Sequence, residues 1–320
     1  MGGRADLDLL RIRCHNLFVS LNKKTLFLLL TLFFFLSPIP LRAETTPQIN
    51  VEYGEVIYRF NEESPNQIFI IGISHRDSLT CMNGENTSRV QAEVYKIGDW
   101  LVHHQGLELL LPEGFFASNP GKIGKEKGKA LERKSECTER IDLKVLEERL
   151  SDNKTYVNAE MLLKESHPLR LRQVEDKGLY DAVRNGLLKL VNCGEDDSRY
   201  SALKTELDYL QEKRTAAMLQ KIPEIVEAEF RQGNIKSRKA IFTIGTSHLH
   251  KIIRYINETR IKIDAPLLAS NGSKDYIAEL SLLKENFGVS IIIPKTLAKD
   301  QKTLELNKLD KIVIRSSARP

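Results

Sequence analysis

The chain has 320 residues, 41% hydrophobic and 28% charged, with a formal net charge of +5. This is an ordinary globular composition, long enough for one large or two small domains without help from disulfides. Residues 1–43 hold six basic and two acidic residues, so the remaining chain sets 42 basic against 41 acidic side chains. So even a balance lacks the dominant basic face that nucleic-acid binding requires, and excludes nucleic acid as the expected partner.

Residues 1–43 read as a signal peptide or N-terminal anchor. Lys23 and Lys24 precede an apolar run from Leu26 to Leu36 that only Thr31 interrupts, and Pro38, Pro40 and Leu41-Arg42-Ala43 follow. A charged stretch, a short apolar stretch and a small residue at a cut site make an export signal. The run is shorter than the about 20 residues of a membrane span. The expected location is periplasmic or secreted, with membrane contact only through an uncut leader. Of the four cysteines, Cys14 falls in this leader, and pairing among Cys81, Cys137 and Cys193 stays open. No C-x-x-C pair occurs, which argues against a cysteine zinc site or a thioredoxin-like motif.

Beyond the leader, residues 51–60 alternate apolar and polar, the period of a half-buried strand. Ile68 to Ile71 is a β-branched run that fits a strand buried on both faces, as in a parallel sheet. Residues 87–104 place Val90, Val94, Ile97 and Leu101 at helical spacing, and Leu107 to Leu111 is a second buried strand. Strand, helix and strand in that order predict a parallel βαβ unit. Residues 121–154 are rich in Lys, Glu and Gly and read as an exposed helical insertion or loop. Helices are expected over 156–166 and 176–192, with a short strand from Leu169 to Val174 between them. A long amphipathic helix from Tyr200 to Arg231 is expected to break or kink at Pro223. Ala240 to Ile244 is a third buried strand. Helices over 249–258 and 275–286, a last strand from Val289 to Ile293 and a frayed polar tail after residue 300 complete the reading. The expected fold is α/β, a central mostly parallel sheet flanked by helices. One domain would span 44–300, with 121–235 a largely helical insertion and 301–320 a polar tail.

Two segments carry the functional argument. IFIIGISH at 68–75 and IFTIGTSH at 241–248 share six of eight positions. Each runs an apolar strand into a Gly and sets a His three residues later, at His75 and His248. A strand end in an open α/β sheet delivers its loop to the carboxyl edge, where ligands bind. Gly permits a tight turn there. The imidazole can then bind a metal or move a proton near neutral pH. Neighbouring strands would aim both rings at one crevice. A lone G-x-x-H is weak, and a lone His after a strand is usually structural; the matched pair is what favours a site.

With these paired motifs, the chain resembles the TraB/GumN family, which includes the Tiki proteases and shares its plan with erythromycin-esterase and ChaN-like proteins. The resemblance spans about residues 55–295 and has three further supports. A Glu ends the strand after the first motif, here Glu113 in LLLPEGF. An Arg lies on a helix ahead of the second motif with Met four residues later, here Arg214 and Met218 in EKRTAAML. A helix, a Gly and a closing strand follow, here LLKENFGVSIII. The chain departs in carrying Ser74 and Ser247 before the histidines, where the family often has Gly or Ala, and residues 115–160 match nothing.

The resemblance implies an exported hydrolase that cleaves a peptide or ester bond. In the Tiki branch His75, His248 and Glu113 would hold a divalent metal such as Mn, Co or Zn. In the esterase branch one His takes a proton from water and a carboxylate orients it, without metal. Arg214 would clamp a substrate carboxylate or steady an oxyanion. The bland alternatives are a turn residue for Glu113 and a surface ion pair for Arg214. Glu108 is the competing carboxylate, and Glu175 and Asp176 are either site acids or a helix N-terminus. His250 is a candidate support for His248, whereas His103, His104 and His167 read as surface residues. The alternative function is a non-catalytic periplasmic binding protein that sequesters peptides or binds haem, as ChaN-like proteins do.

Overall fold

In a computed structural model of the protein, a six-stranded sheet carries helices on both faces. The structure describes residues 52–74, 86–114, 142–151, 158–194, 197–266 and 274–312, all within one unit, Pro47–Pro320. The leader, His75, Cys81, Cys137 and the segment 115–141 lie outside these residues. No helix among the described residues is long and apolar enough to cross a membrane.

The chain begins with β1 (Gly54–Phe60) and β2 (Gln67–Ile73), followed by α1 (Thr87–Gln105) and β3 (Leu109–Pro112). Next come α2 (Leu143–Ser151), α3 (Ala159–Ser166), β4 (Arg170–Leu171), α4 (Lys177–Cys193) and α5 (Tyr200–Arg231). Strand β5 (Lys239–Gly245) passes through a single 3-10 turn (Thr246–His248) into α6 (Leu249–Asn257). The chain then forms β6 (Arg260–Ile263), β7 (Tyr276–Glu279), α7 (Ser281–Lys284), β8 (Gly288–Pro294), α8 (Lys295–Lys299) and α9 (Gln301–Leu306).

The sheet order is β1-β8-β2-β5-β3-β4. All neighbours pair in parallel except the edge pair β1 and β8. Strands β2 and β8 are buried along their whole length, as Ile- and Val-rich runs are when both faces are covered. Alternate side chains divide between two cores. Phe69, Ile71 and Ile73 pack with α1, α2 and α3 on one face. Ile68, Ile70, Phe242 and Ile244 pack with α5, α6 and the β6–β7 hairpin on the other. The mostly parallel α/β sheet expected from the sequence is therefore present. Strands β2 and β3 share it as expected, with β5 inserted between them.

Several local expectations are corrected. Of the break or kink expected at Pro223, the break is absent: α5 is continuous there, with Leu219, Ile222 and Val226 around the proline fully buried and holding the turn despite the missing N–H. The helix expected over 275–286 is instead strand β7 followed by the short α7. The cause is tertiary: β7 pairs antiparallel with β6, a strand absent from the sequence reading, in register Arg260 to Glu279. The strand expected over Leu169–Val174 shrinks to Arg170–Leu171 at the sheet edge. Residues 301–312 are not frayed: α9 docks through Leu304, and Leu309 behind it is also buried.

Candidate functional site

The two motif strands are nearest neighbours. β2 and β5 pair in parallel from Gln67–Lys239 to Ile73–Gly245, so both end at the same carboxyl edge. The helix after β2 covers one face of the sheet and the helix after β5 covers the other. Adjacent strands whose connections part to opposite faces mark the place where α/β sheets open a ligand crevice.

Glu113 leaves the end of β3 and is held across the sheet edge by β5. Its backbone N–H donates to the Thr243 carbonyl at 2.9 Å, and its Oε2 accepts from the Gly245 N–H at 2.6 Å. The 3-10 turn after Gly245 folds His248 back into the protein, leaving it 6% exposed. Gly72 makes room for that turn, since a Cβ there would lie 2.6 Å from Leu249 Cδ1 and 3.2 Å from Thr246 Cγ2.

Both nitrogens of the His248 ring have polar neighbours. The Thr215 hydroxyl on α5 lies 2.9 Å from the Gln211 carbonyl and 2.5 Å from His248 Nδ1. It has one proton to give: with that proton on Gln211, Nδ1–H donates to Thr215 Oγ1 and Nε2 of the neutral ring carries the lone pair, and with it on Nδ1 the ring proton sits on Nε2. Nε2 faces Glu113 Oε1 at 3.5 Å, a gap that a proton, a water or a cation can bridge.

Arg214 precedes Thr215 on α5 and is clamped between two carboxylates. Its Nη2 is 2.8 Å from Glu113 Oε1 and 2.5 Å from Glu175 Oε2, and its Nε donates to Glu175 Oε1 at 3.0 Å. Burial works against the guanidinium charge, but the bonds to Glu175 and the charges of Glu113 and Glu175 raise its pKa overall. The Tyr180 ring lies under the guanidinium at 5.4 Å. Glu175 and Arg214 are both buried, and two carboxyl groups converge on the one guanidinium beside His248 Nε2.

Of the residues expected at the site, Glu113, Arg214 and His248 are brought together, and His75 lies outside the described residues. The neighbouring acids split the two roles foreseen for them. Glu175 is buried against Arg214, whereas Asp176 caps α4 by accepting from Leu179 N–H at 3.0 Å, a bond that holds its carboxyl below the usual range. Glu108 is excluded, because it lies at the start of β3 and accepts from Lys236 N–H at 2.6 Å. His250 is set apart among Lys308, Lys251, Arg254 and Glu212, and burial pushes its pKa down to about 4. Ser247 is exposed, and the Ser74 carbonyl accepts from Gln91 Nε2 at 2.8 Å. Cys193 is a free thiol. Placing His167 on the surface is corrected: it is buried and its Nε2 lies 2.8 Å from Asp99 Oδ1. Thr215 was missed, since a Thr inside a helix carries no sequence signature.

The described donors suit two positions of a metal shell. Ligands about 2.1 Å from a tetrahedral ion stand about 3.4 Å apart, and His248 Nε2 and Glu113 Oε1 are 3.5 Å apart. Comparison of the chain with protein-family models, curated proteins and solved structures gives no match, so the reading of the site rests on its own geometry.

Proposed function

We propose that the chain is an exported hydrolase of the TraB/GumN type, cleaving a peptide or ester bond at the carboxyl edge of β2, β3 and β5. The observation that carries this reading is His248, its Nδ1 2.5 Å from Thr215 Oγ1 and its Nε2 3.5 Å from Glu113 Oε1. With Nδ1 donating to Thr215, the Nε2 lone pair can take a proton from an attacking water and return it to the leaving group. Glu113 stabilises the imidazolium that forms, and Arg214 holds that carboxylate in place. Arg214 is engaged by Glu113 and Glu175, which makes it a positioning residue and not a free substrate clamp.

In the metal-dependent form of this reading the same Nε2 lone pair would instead join Glu113 and His75 in holding a divalent ion of the Mn, Co or Zn kind, and His248 would then not act as the base. Such an ion would polarise the scissile carbonyl and acidify water.

The test is turnover of ester and peptide substrate panels by the full chain, with chelator and then with added Mn²⁺, Co²⁺ or Zn²⁺. Turnover that His248→Ala removes while the circular dichroism stays unchanged supports the assignment. Equal turnover by the variant overturns it. No turnover, together with a Soret band on adding haem or saturable peptide binding, would replace it with the binding-protein reading.

A further inference from the structure

The opposite edge of the sheet carries a second cluster of ligating side chains, which the proposed hydrolase does not use. Asp99 and His103 lie one helical turn apart on the last part of α1, so their side chains share a face. His167 follows directly on α3 and is held there by its backbone N–H donating to Leu163 O at 2.9 Å. Gly98 is what lets the two helices approach. A Cβ on it would stand 2.5 Å from Leu163 Cδ1, so a larger residue there would force the buried Leu163 side chain to move.

The result is convergence on one oxygen. His167 Nε2 is 2.8 Å and His103 Nε2 is 3.5 Å from Asp99 Oδ1, and the three ligand atoms all lie within 4.8 Å of one another. The two imidazoles meet edge to face with centroids 5.2 Å apart. Asp99 and His167 are buried, whereas the His103 side chain is 37% exposed and leaves the cluster open to solvent. A simple tie between α1 and α3 needs only the Asp99–His167 bond. It gives no reason for a second imidazole, free to turn into water, to aim at the same oxygen.

We propose that Asp99, His103 and His167 bind a divalent transition-metal ion with two imidazoles and one carboxylate, leaving one position for water. Imidazole and carboxylate donors around a tetrahedral site suit Zn²⁺ or Co²⁺ and not Mg²⁺ or Ca²⁺, which take oxygen shells. Binding displaces the Nε2 protons and exchanges a hydrogen-bonded tie between α1 and α3 for a coordinate one. The site lies at the end of α1 that leads into the start of β3, while Glu113 leaves the far end of that strand. The ion would therefore brace the scaffold and not touch the reacting bond.

Co²⁺ titration of the full chain tests this, read by the visible absorption of a low-coordinate ion and by the thermal midpoint. The His248→Ala chain should keep the Co²⁺ bands and the rise in thermal midpoint. His103→Ala should lower Co²⁺ affinity by about 100-fold or more, since even loss of a supporting partner costs about 10–100-fold, and should keep the metal-free thermal midpoint. His103 is the residue to change because it is exposed and its loss leaves the buried Asp99–His167 bond intact. Failure of the wild type to bind Co²⁺ saturably overturns the proposal. So does Co²⁺ binding that His103→Ala leaves unchanged. Binding that only His248→Ala removes would also overturn it and would move the ion to the hydrolase site.

Discussion

Thr215 is the smallest group on which the proposed chemistry depends. Its hydroxyl stands 2.5 Å from His248 Nδ1 and orients the ring, so Thr215→Val should lower kcat by roughly 10–100-fold, as for other partners that orient a catalytic ring, with KM little changed. Steady-state kinetics alongside a thermal melt separates that effect from misfolding. Arg214→Ala would leave Glu113 and Glu175 buried without their cation. It should cost about 3–5 kcal/mol of stability, measured by urea denaturation. His250 gives a pH signature. Its folded pKa of about 4 lies below the ordinary 6.5, so the unfolded chain takes up the proton first. Stability from this residue is complete above pH 6.5 and is lost as the pH falls towards 4. Melts across that range should show a shallower decline for His250→Gln. That Glu113, Arg214 and His248 converge was legible because each stands at a motif position. Thr215 was not, because its partner lies on another element, 33 positions along the chain. His167 was misread for the same reason, its partner Asp99 lying 68 positions earlier.

At the level of elements, β2, β5 and β8 were legible as short, largely apolar runs rich in β-branched residues, which fit a strand covered on both faces. The β6–β7 hairpin was not. Ile261 and Ile263 are buried while Arg260 and Lys262 are exposed, a four-residue alternation too short to stand out. Leu280, Leu282 and Leu283 beyond it imitate helical spacing. The join between β2 and the His248 turn is closely packed at Gly72. Gly72→Ala forces a methyl against Leu249, which is itself fully buried. Overpacking of this kind costs about 1–3 kcal/mol. The prediction is a lower urea midpoint together with reduced turnover, whereas a variant that loses stability alone would show the turn to be insensitive to the displacement.

Across the whole molecule, the C-terminal helical segment is part of the core. Truncation after residue 300 removes Leu304 and Leu309, both buried against the layer that holds α5 and α6. Each fully buried Leu contributes about 1.5–3 kcal/mol, so the truncated chain should unfold at clearly lower urea. A polar composition concealed this, since two leucines five residues apart suffice to anchor a short helix while its other faces stay wet. The sheet's topology was legible only in outline. Which strands are neighbours is decided by β5 passing between β2 and β3, and no local pattern encodes that choice.

The central position of β2 also governs how the chain is made. Its two partners begin at Lys239 and Gly288, so neither edge of this strand can pair until most of the chain exists. At about 5–20 residues per second, the ribosome holds Ile68–Ile71 without a neighbour for roughly 10–30 s. An apolar strand with both edges bare is an aggregation template for that time. Newborn copies of this protein thus depend on being shielded during translation, and rapid overproduction should drive them into inclusion bodies more readily than slow synthesis does.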